Sequence, residues 1–88
     1  MGVILKDKVI VVTGGGAGIG WGITQACVAE GARVILAQRS DSGHDKAEAL
    51  VAAGHDVRFA KLDVSDPGQI AGFWEMVRTK YGRVDGLY

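Results

Sequence analysis

A hydrophobic run that breaks into glycines is the feature of this chain that most restricts its fold. Residues 9–12 are all apolar, Thr13 follows, and five of the seven residues 14–20 are glycine. A strand that is buried on both faces, as in a parallel sheet, reads as a continuous apolar run. The pattern therefore predicts a central parallel strand, a tight glycine turn and then the start of a helix.

The spacing of these glycines indicates a phosphate-binding turn. Gly14 provides the tight turn, Gly18 leaves the backbone open to a pyrophosphate, and Gly20 lets the helix lie close to the strand. The first N–H groups of the helix and the positive end of its dipole then face the anion. No Lys-Ser or Lys-Thr pair follows, which excludes a P-loop. A flexible turn is the alternative, but the flanking strand and helix favour a dinucleotide site.

Strand and helix patterns alternate along the rest of the chain. Further strands are predicted at 33–37 and 57–62, with the start of a fourth at 84–88. Helices are predicted at about 18–30, 44–53 and 67–80. Each helix is followed by a glycine that can end it, namely Gly31, Gly54 and Gly82. Asp66 is the predicted N-cap of the third helix, and Gln69 stands where it would complete a capping box.

The first predicted helix has an apolar face made by Ile19, Ile23, Ala26 and Cys27. Helical spacing makes Cys27 a small buried hydrophobe rather than a nucleophile. Trp21 follows the glycine turn and either packs against a neighbouring element or shields the pyrophosphate, and packing is the preferred interpretation.

The repeated strand-helix units predict the fold class. We expect an α/β protein with a Rossmann-type doubly wound parallel sheet, incomplete because the fourth strand is truncated. Right-handed crossovers give the strand order 3-2-1-4 with three helices, and a ligand belongs at the carboxyl ends of strands 1 to 3. With 88 residues, the chain is one domain, interpreted as the N-terminal part of a dinucleotide-binding domain.

The end of the second strand indicates which nicotinamide cofactor is preferred. An acidic residue about 20 positions past the glycines would accept hydrogen bonds from the adenosine ribose, as in NAD-binding folds. Gln38 occupies that place here, and Arg39 and Ser40 follow it. A guanidinium and a hydroxyl suit a 2′-phosphate, which favours NADP(H) over NAD(H). In the alternative, Arg39 stacks on adenine or is a solvated charge, Gln38 bonds the ribose, and NAD is accepted.

The motif Thr13-Gly-x-x-x-Gly-Ile-Gly20 resembles the cofactor fingerprint of the short-chain dehydrogenase/reductase family. Asp63-Val64 resembles a second family element, in which the aspartate accepts a hydrogen bond from the adenine amino group and the next backbone amide contacts the ring. A plain turn residue is the alternative for Asp63. With the end of the second strand, these motifs predict cofactor contacts at Thr13, Gly14, Gly16, Gly18, Ile19, Gly20, Gln38, Arg39, Ser40, Asp63 and Val64.

The resemblance implies an oxidoreductase that passes hydride between a nicotinamide and a carbonyl or alcohol substrate. It also implies that the full-length enzyme is a homo-oligomer. It covers about the first third of a typical family member. The family's catalytic serine and Tyr-x-x-x-Lys pair cannot be assigned, because Asp85 stands four residues after Tyr81 and nothing follows Tyr88. A non-catalytic dinucleotide-binding module and an inactive truncated gene product are the alternatives. An S-adenosylmethionine site is disfavoured by the glycine pattern and by Arg39.

Composition narrows the remaining classes. Ten basic and ten acidic residues balance, so no basic surplus points to nucleic acid or a membrane surface. The single cysteine is compatible with a cytoplasmic location, and Cys27 with His44 and His55 lacks the spacing of a zinc site. Both histidines are interpreted as surface residues. Because the sheet ends at strand 4 with an unpaired edge, we expect a marginal or association-prone polypeptide.

Overall fold

The computed structural model describes residues 6–14, 18–39 and 41–88 of the chain. In chain order these residues form β1 (Val9–Thr13), α1 (Gly18–Ala29), β2 (Arg33–Gln38), α2 (Ser42–Ala52), β3 (Val57–Lys61), α3 (Pro67–Tyr81) and β4 (Gly86–Leu87). The described strands build one parallel sheet in the order β3-β2-β1-β4, which confirms the predicted topology. None of these helices is long and apolar enough to cross a membrane.

Two hydrophobic clusters cover the two faces of the sheet. Residues of β2 alternate between them, with Ile35 in one cluster and Leu36 in the other. The cluster on the α3 face contains Val9, Val11, Ile35, Ala37, Leu62, Phe73 and Val77. The cluster on the face of α1 and α2 contains Val12, Val28, Ala32, Val34, Leu36, Ala47 and Val57. Helices therefore pack on both faces, which confirms the doubly wound arrangement and explains why β1 and β2 are apolar at successive positions.

The inward face of α1 differs from the predicted one. Gly20, Thr24 and Val28 are its buried residues, whereas Ile19 is 74% exposed. The prediction that Ile19 belongs to the apolar face is therefore wrong, and Ala26 is also exposed. Gly20 is buried, and residues four and eight positions further along a helix, here Thr24 and Val28, lie on the same face as Gly20.

The ends of the helices follow the glycine signals. Gly31, Gly54 and Gly82 have φ of 86°, 96° and 74°, in the left-handed region that glycine adopts at low cost. The helix starts were less predictable, since α2 begins at Ser42 rather than near residue 44. Strand β4 comprises two residues rather than the five that were predicted. The hydrogen bonding to β1 extends beyond it, since the Asp85 N–H donates to Val9 O at 2.8 Å.

The N-cap of α3 is confirmed, but the capping box is wrong in one detail. The Asp66 carboxylate accepts hydrogen bonds from the N–H groups of Gly68 and Gln69, at 2.9 and 3.3 Å. The Gln69 side chain does not return to the Asp66 N–H. Its Oε1 instead accepts the N–H of Asp63 at 2.9 Å, and the Asp66 N–H donates to Asp63 O. The helix start is thereby tied to the loop that leaves β3.

Candidate cofactor-binding site

The carboxyl ends of three strands lie side by side at one edge of the sheet. Thr13, the last residue of β1, pairs with Ala37 of β2, and Gln38 pairs with Lys61 at the end of β3. In open parallel sheets this edge is where ligands bind. The parallel register therefore gathers the segments that carry most of the predicted site residues.

The end of β1 is held firmly before the chain turns. Thr13 donates two hydrogen bonds to the Tyr88 carbonyl, one from its backbone N–H at 2.9 Å and one from Oγ1 at 2.7 Å. The Gly14 N–H donates to Ala37 O at 2.7 Å, and Gly14 has a φ of 66°. Gly14 thus has the left-handed backbone that suits a glycine turn, and Thr13 and Gly14 are hydrogen-bonded to Tyr88 and Ala37 on the two sides of β1.

The start of α1 leaves open space where an anion would approach. Gly18 has a φ of 55°, and a Cβ built on it meets no atom within 4 Å among the described residues. The exposed Ile19 and the buried Gly20 follow it in the first turn. Thr24 is fully buried, and its hydroxyl donates to the Gly20 carbonyl at 3.0 Å. Gly16 lies outside the described residues.

The end of β2 presents one side chain inward and one outward. Gln38 is half-buried, and its carboxamide lies so near α2 that a Cβ on Gly43 would stand 2.9 Å from its Cδ. The Arg39 side chain is 77% exposed. No carboxylate stands at either position, as the sequence indicated. Ser40 lies outside the described residues.

The loop after β3 orients an aspartate toward Arg39. Asp63 Oδ1 accepts hydrogen bonds from the Ser65 N–H at 2.9 Å and from its hydroxyl at 2.6 Å. Asp63 Oδ2 lies 3.9 Å from Arg39 Nε. The Ser65 hydrogen bonds, with a smaller contribution from Arg39, hold the pKa of Asp63 below its ordinary value. Asp63 therefore acts as a turn residue. Its carboxylate is ionised and can accept hydrogen bonds at the carboxyl ends of the strands.

A pocket of about 340 Å³ lies at this edge, lined by Arg39, Lys61, Asp63 and Gln69. Val64, the predicted contact that follows Asp63 in the sequence, is exposed. Lys61 and Gln69 were not among the predicted site residues. Their positions depend on the register of β3 and on the hydrogen bond from the Asp63 N–H to Gln69, neither of which leaves a mark in the sequence. The buried Thr24 was also missed, although its place four residues after Gly20 was a usable signal.

Three other residues considered in the sequence are placed in supporting roles. Trp21 packs against the cluster on the α1 and α2 face, and Lys46 Nζ lies 5.2 Å from its ring centroid. Cys27 is half-buried against the same cluster, and burial raises the pKa of its thiol. A neutral thiol in this position fits a packing role rather than a nucleophilic one.

His44 is exposed on α2 and belongs to the surface, as predicted. Its Nε2 lies 3.5 Å from Glu48 and its Nδ1 4.0 Å from Asp45, while its ring meets Phe59 edge-on. Among the described residues, His44, Asp45 and Glu48 form the group of possible metal ligands whose ligand atoms lie within 4.8 Å of one another. All three side chains are exposed. His55 is half-buried.

Comparison with known proteins identifies relatives along nearly the whole chain. A family model described as short chain dehydrogenase matches residues 8–88. The chain is 39% identical over 85 residues to an uncharacterized oxidoreductase of Thermotoga maritima, covering 96% of this chain and 33% of that protein. It is 33% identical over 85 residues to levodione reductase of Leifsonia aquatica, covering 93% of this chain and 32% of that protein.

A solved structure gives the same picture of the fold. A short chain dehydrogenase/reductase from Burkholderia phymatum, in complex with NAD, matches with a TM-score of 0.88 and 27% identity, covering 94% of this chain and 30% of that chain. The chain thus spans about one third of the length of these relatives.

Proposed function

The chain belongs to the short-chain dehydrogenase family, and on that premise we propose that it is the N-terminal, cofactor-binding part of an oxidoreductase that prefers NADP(H) to NAD(H). When bound, the cofactor supplies the hydride chemistry, and the protein orients it. The two relatives named by activity or class are both oxidoreductases, which supports an enzyme over a non-catalytic module. The proposal includes a carbonyl or alcohol substrate, a homo-oligomeric enzyme and a cytoplasmic location.

Each segment at the carboxyl edge has a role in this proposal. Thr13 and Gly14 fix the turn, and Gly18 with the first turn of α1 receives the pyrophosphate on backbone N–H groups. Arg39 and Ser40 take the 2′-phosphate, with Gln38 beside the ribose. Asp63 and the Val64 amide take the adenine. The left-handed backbone at Gly18, with open space at its Cβ position, fits a closely approaching phosphate.

One observation carries the choice of NADP(H). The residue after β2 is an arginine whose guanidinium is largely exposed, and the last residue of β2 is an amide rather than an acid. A ribose 2′-hydroxyl needs an acceptor here, whereas a 2′-phosphate needs a cation. Among the described residues, Arg39 Nε lies 3.9 Å from the carboxylate of Asp63. That ion pair is weak in solvent, so a phosphate can compete for the guanidinium.

The test is the ratio of NADPH to NADH affinity in the 88-residue chain and in its Arg39→Gln variant. Binding is followed by the fluorescence of the reduced nicotinamide. A charge-assisted hydrogen bond contributes about 1.5–3 kcal/mol, and the exposure of Arg39 favours the lower end. We therefore expect the substitution to lower the preference for NADPH about tenfold and to leave NADH binding almost unchanged.

Arg78→Gln is the matched control, because Arg78 is an exposed arginine that pairs with Glu75 on α3. It should leave both affinities unchanged. A wild-type chain that prefers NADH, or an Arg39→Gln chain that keeps its full preference for NADPH, would contradict the proposal.

A further inference from the structure

Four alternating charges surround the end of β2. Arg39 faces Asp63, and Lys61 Nζ lies 3.5 Å from Asp41 Oδ2. All four belong to the segments that leave β2 and β3 at the carboxyl edge. The role of Arg39 and Asp63 is covered by the proposed function, but nothing so far accounts for the second pair.

Lys61 lines the same pocket as Arg39, which is proposed to take the 2′-phosphate, and it lies on the face of Gln38, which is proposed beside the ribose. Lys61 is paired in register with Gln38, and paired residues of neighbouring strands point to the same face of a sheet. The Gln38 carboxamide lies against Gly43 at the start of α2. The Lys61 side chain accordingly reaches Asp41, which immediately precedes α2, and it also lines the pocket that Arg39 lines.

Asp41 behaves as a counter-ion rather than as a helix cap. It occupies the N-cap position of α2, yet its side chain makes no capping hydrogen bond, and its backbone has a φ of −80° and a ψ of −1°, in the helical region. Its carboxylate is directed to Lys61 instead. Asp63 differs, because two hydrogen bonds from Ser65 occupy one of its oxygens. Among the described residues, the Asp41 carboxylate therefore has Lys61 as its charged partner and is not held by a hydrogen-bonded turn as Asp63 is.

We propose that Lys61 is a second cation for the 2′-phosphate of NADP(H) and that Asp41 is its counter-ion in the absence of ligand. This inference rests on the proposed function. On binding, the ammonium exchanges the Asp41 carboxylate for a phosphate that carries more negative charge, so Asp41 lowers the affinity for the phosphorylated cofactor. The side chains of Lys61 and Asp41 are 63% and 76% exposed, so the exchange needs no rearrangement of the core.

The experiment measures NADPH and NADH dissociation constants for the 88-residue chain and for its Lys61→Gln, Asp41→Asn and double variants. Lys61→Gln should lower the NADPH preference about two- to fivefold, the range for an exposed charge pair. Asp41→Asn should raise it by a similar factor, because it removes the competing carboxylate, and the double variant should match Lys61→Gln. The gain in Asp41→Asn should shrink as salt is raised, since exposed charges are screened.

Lys80→Gln, an exposed lysine in the last turn of α3, is the matched control and should change neither constant. Circular dichroism establishes that every variant is folded. If the wild-type chain binds neither dinucleotide, the proposed function and this inference both fail. If Arg39→Gln lowers the NADPH preference while Lys61→Gln does not, the inference alone is overturned. A gain in Asp41→Asn that is equal for NADH, or that persists without Lys61, also overturns it.

Discussion

Replacing Gly18 by alanine separates the strain of the glycine turn from its use in binding. An L-residue in the left-handed region costs about 1–2 kcal/mol, and about 0.4–1 kcal/mol of that is offset because alanine restricts the unfolded chain. Within the part of the chain that the structure describes, the added methyl group meets no atom within 4 Å, so no clash is added to this cost. We expect Gly18→Ala to lower the free energy of unfolding by about 1 kcal/mol, or the midpoint by roughly 4–8 °C.

The effect on cofactor binding should be much larger than the effect on stability. The methyl group would occupy the open space into which the pyrophosphate is proposed to fit. Overpacking of a fitted contact costs about 1–3 kcal/mol, which corresponds to roughly a 5- to 150-fold loss of NADPH affinity. The assay is a fluorescence titration with NADPH at a temperature where urea unfolding shows the variant to be folded.

Gly82→Ala is the matched control. Gly82 also has a left-handed backbone, with φ of 74° and open space at its Cβ position, but it ends α3 away from the carboxyl edge. It should lose a similar amount of stability and none of its NADPH affinity. If Gly18→Ala binds NADPH as Gly82→Ala does, the close approach of a phosphate to Gly18 is refuted.

Three further predictions concern the fold. Asp66→Ala should lower the free energy of unfolding by about 1 kcal/mol, because it removes the acceptor for two N–H groups at the start of α3. Ile35→Ala should lower it by about 2–5 kcal/mol, because Ile35 is fully buried. Hydrogen bonds from the Arg83 guanidinium and the Val9 N–H hold the pKa of Asp85 below its ordinary value. Its stabilising contribution is therefore present above the ordinary aspartate pKa and is lost as the pH falls through the lowered pKa. Asp85→Asn should therefore be less stable than wild type at neutral pH, with a difference that shrinks in acid.

Urea unfolding monitored by circular dichroism measures all three effects. Asp66→Asn keeps a capping oxygen and should recover most of the loss seen in Asp66→Ala. Val51→Ala is the control for Ile35→Ala, because Val51 is exposed. It should change the free energy of unfolding by no more than about 0.5 kcal/mol. A difference between wild type and Asp85→Asn that stays constant between pH 7 and pH 3 would contradict the role of the Asp85 carboxylate.

The parts of the fold that the sequence predicts are those governed by backbone chemistry. Continuous apolar runs predicted β1 and β2 because both faces of a parallel strand are covered. Gly31, Gly54 and Gly82 predicted helix ends because glycine adopts a positive φ at low cost. Strand order followed from the right-handed crossover of each strand-helix unit.

The wrong predictions concern residues whose polarity alone does not decide their position, because tertiary packing selects among several residues of similar polarity. Hydrophobicity placed Ile19 inward, whereas the buried face of α1 consists of Gly20, Thr24 and Val28. Gly20 was predicted to lie close to the strand, and this position also indicated the buried face of α1. Residues four and eight positions after Gly20 lie on the same side of the helix. Gln69 was assigned to the cap because local spacing allowed it, but the loop after β3 supplied a better donor in the Asp63 N–H.

The candidate site divides along the same line. The glycine turn, Arg39 and Asp63 were visible because each begins within two residues of the end of a predicted strand. The pairing of Lys61 with Asp41 depends on the register that sets Lys61 beside Gln38. Lys61 follows Asp41 by 20 positions in the sequence, and the pairing of β2 with β3 brings the two charges together.

The most direct measurement is a titration of the isotope-labelled chain with NADPH, followed through the backbone amide resonances by nuclear magnetic resonance. We predict saturable shifts concentrated at Gly14, Gly18 to Gly20, Arg39 and Val64, with little change at Gly54 and Gly82. Saturable shifts that cluster elsewhere, or a folded chain whose spectrum does not respond to NADPH, would contradict a nicotinamide dinucleotide site at the carboxyl edge of this sheet.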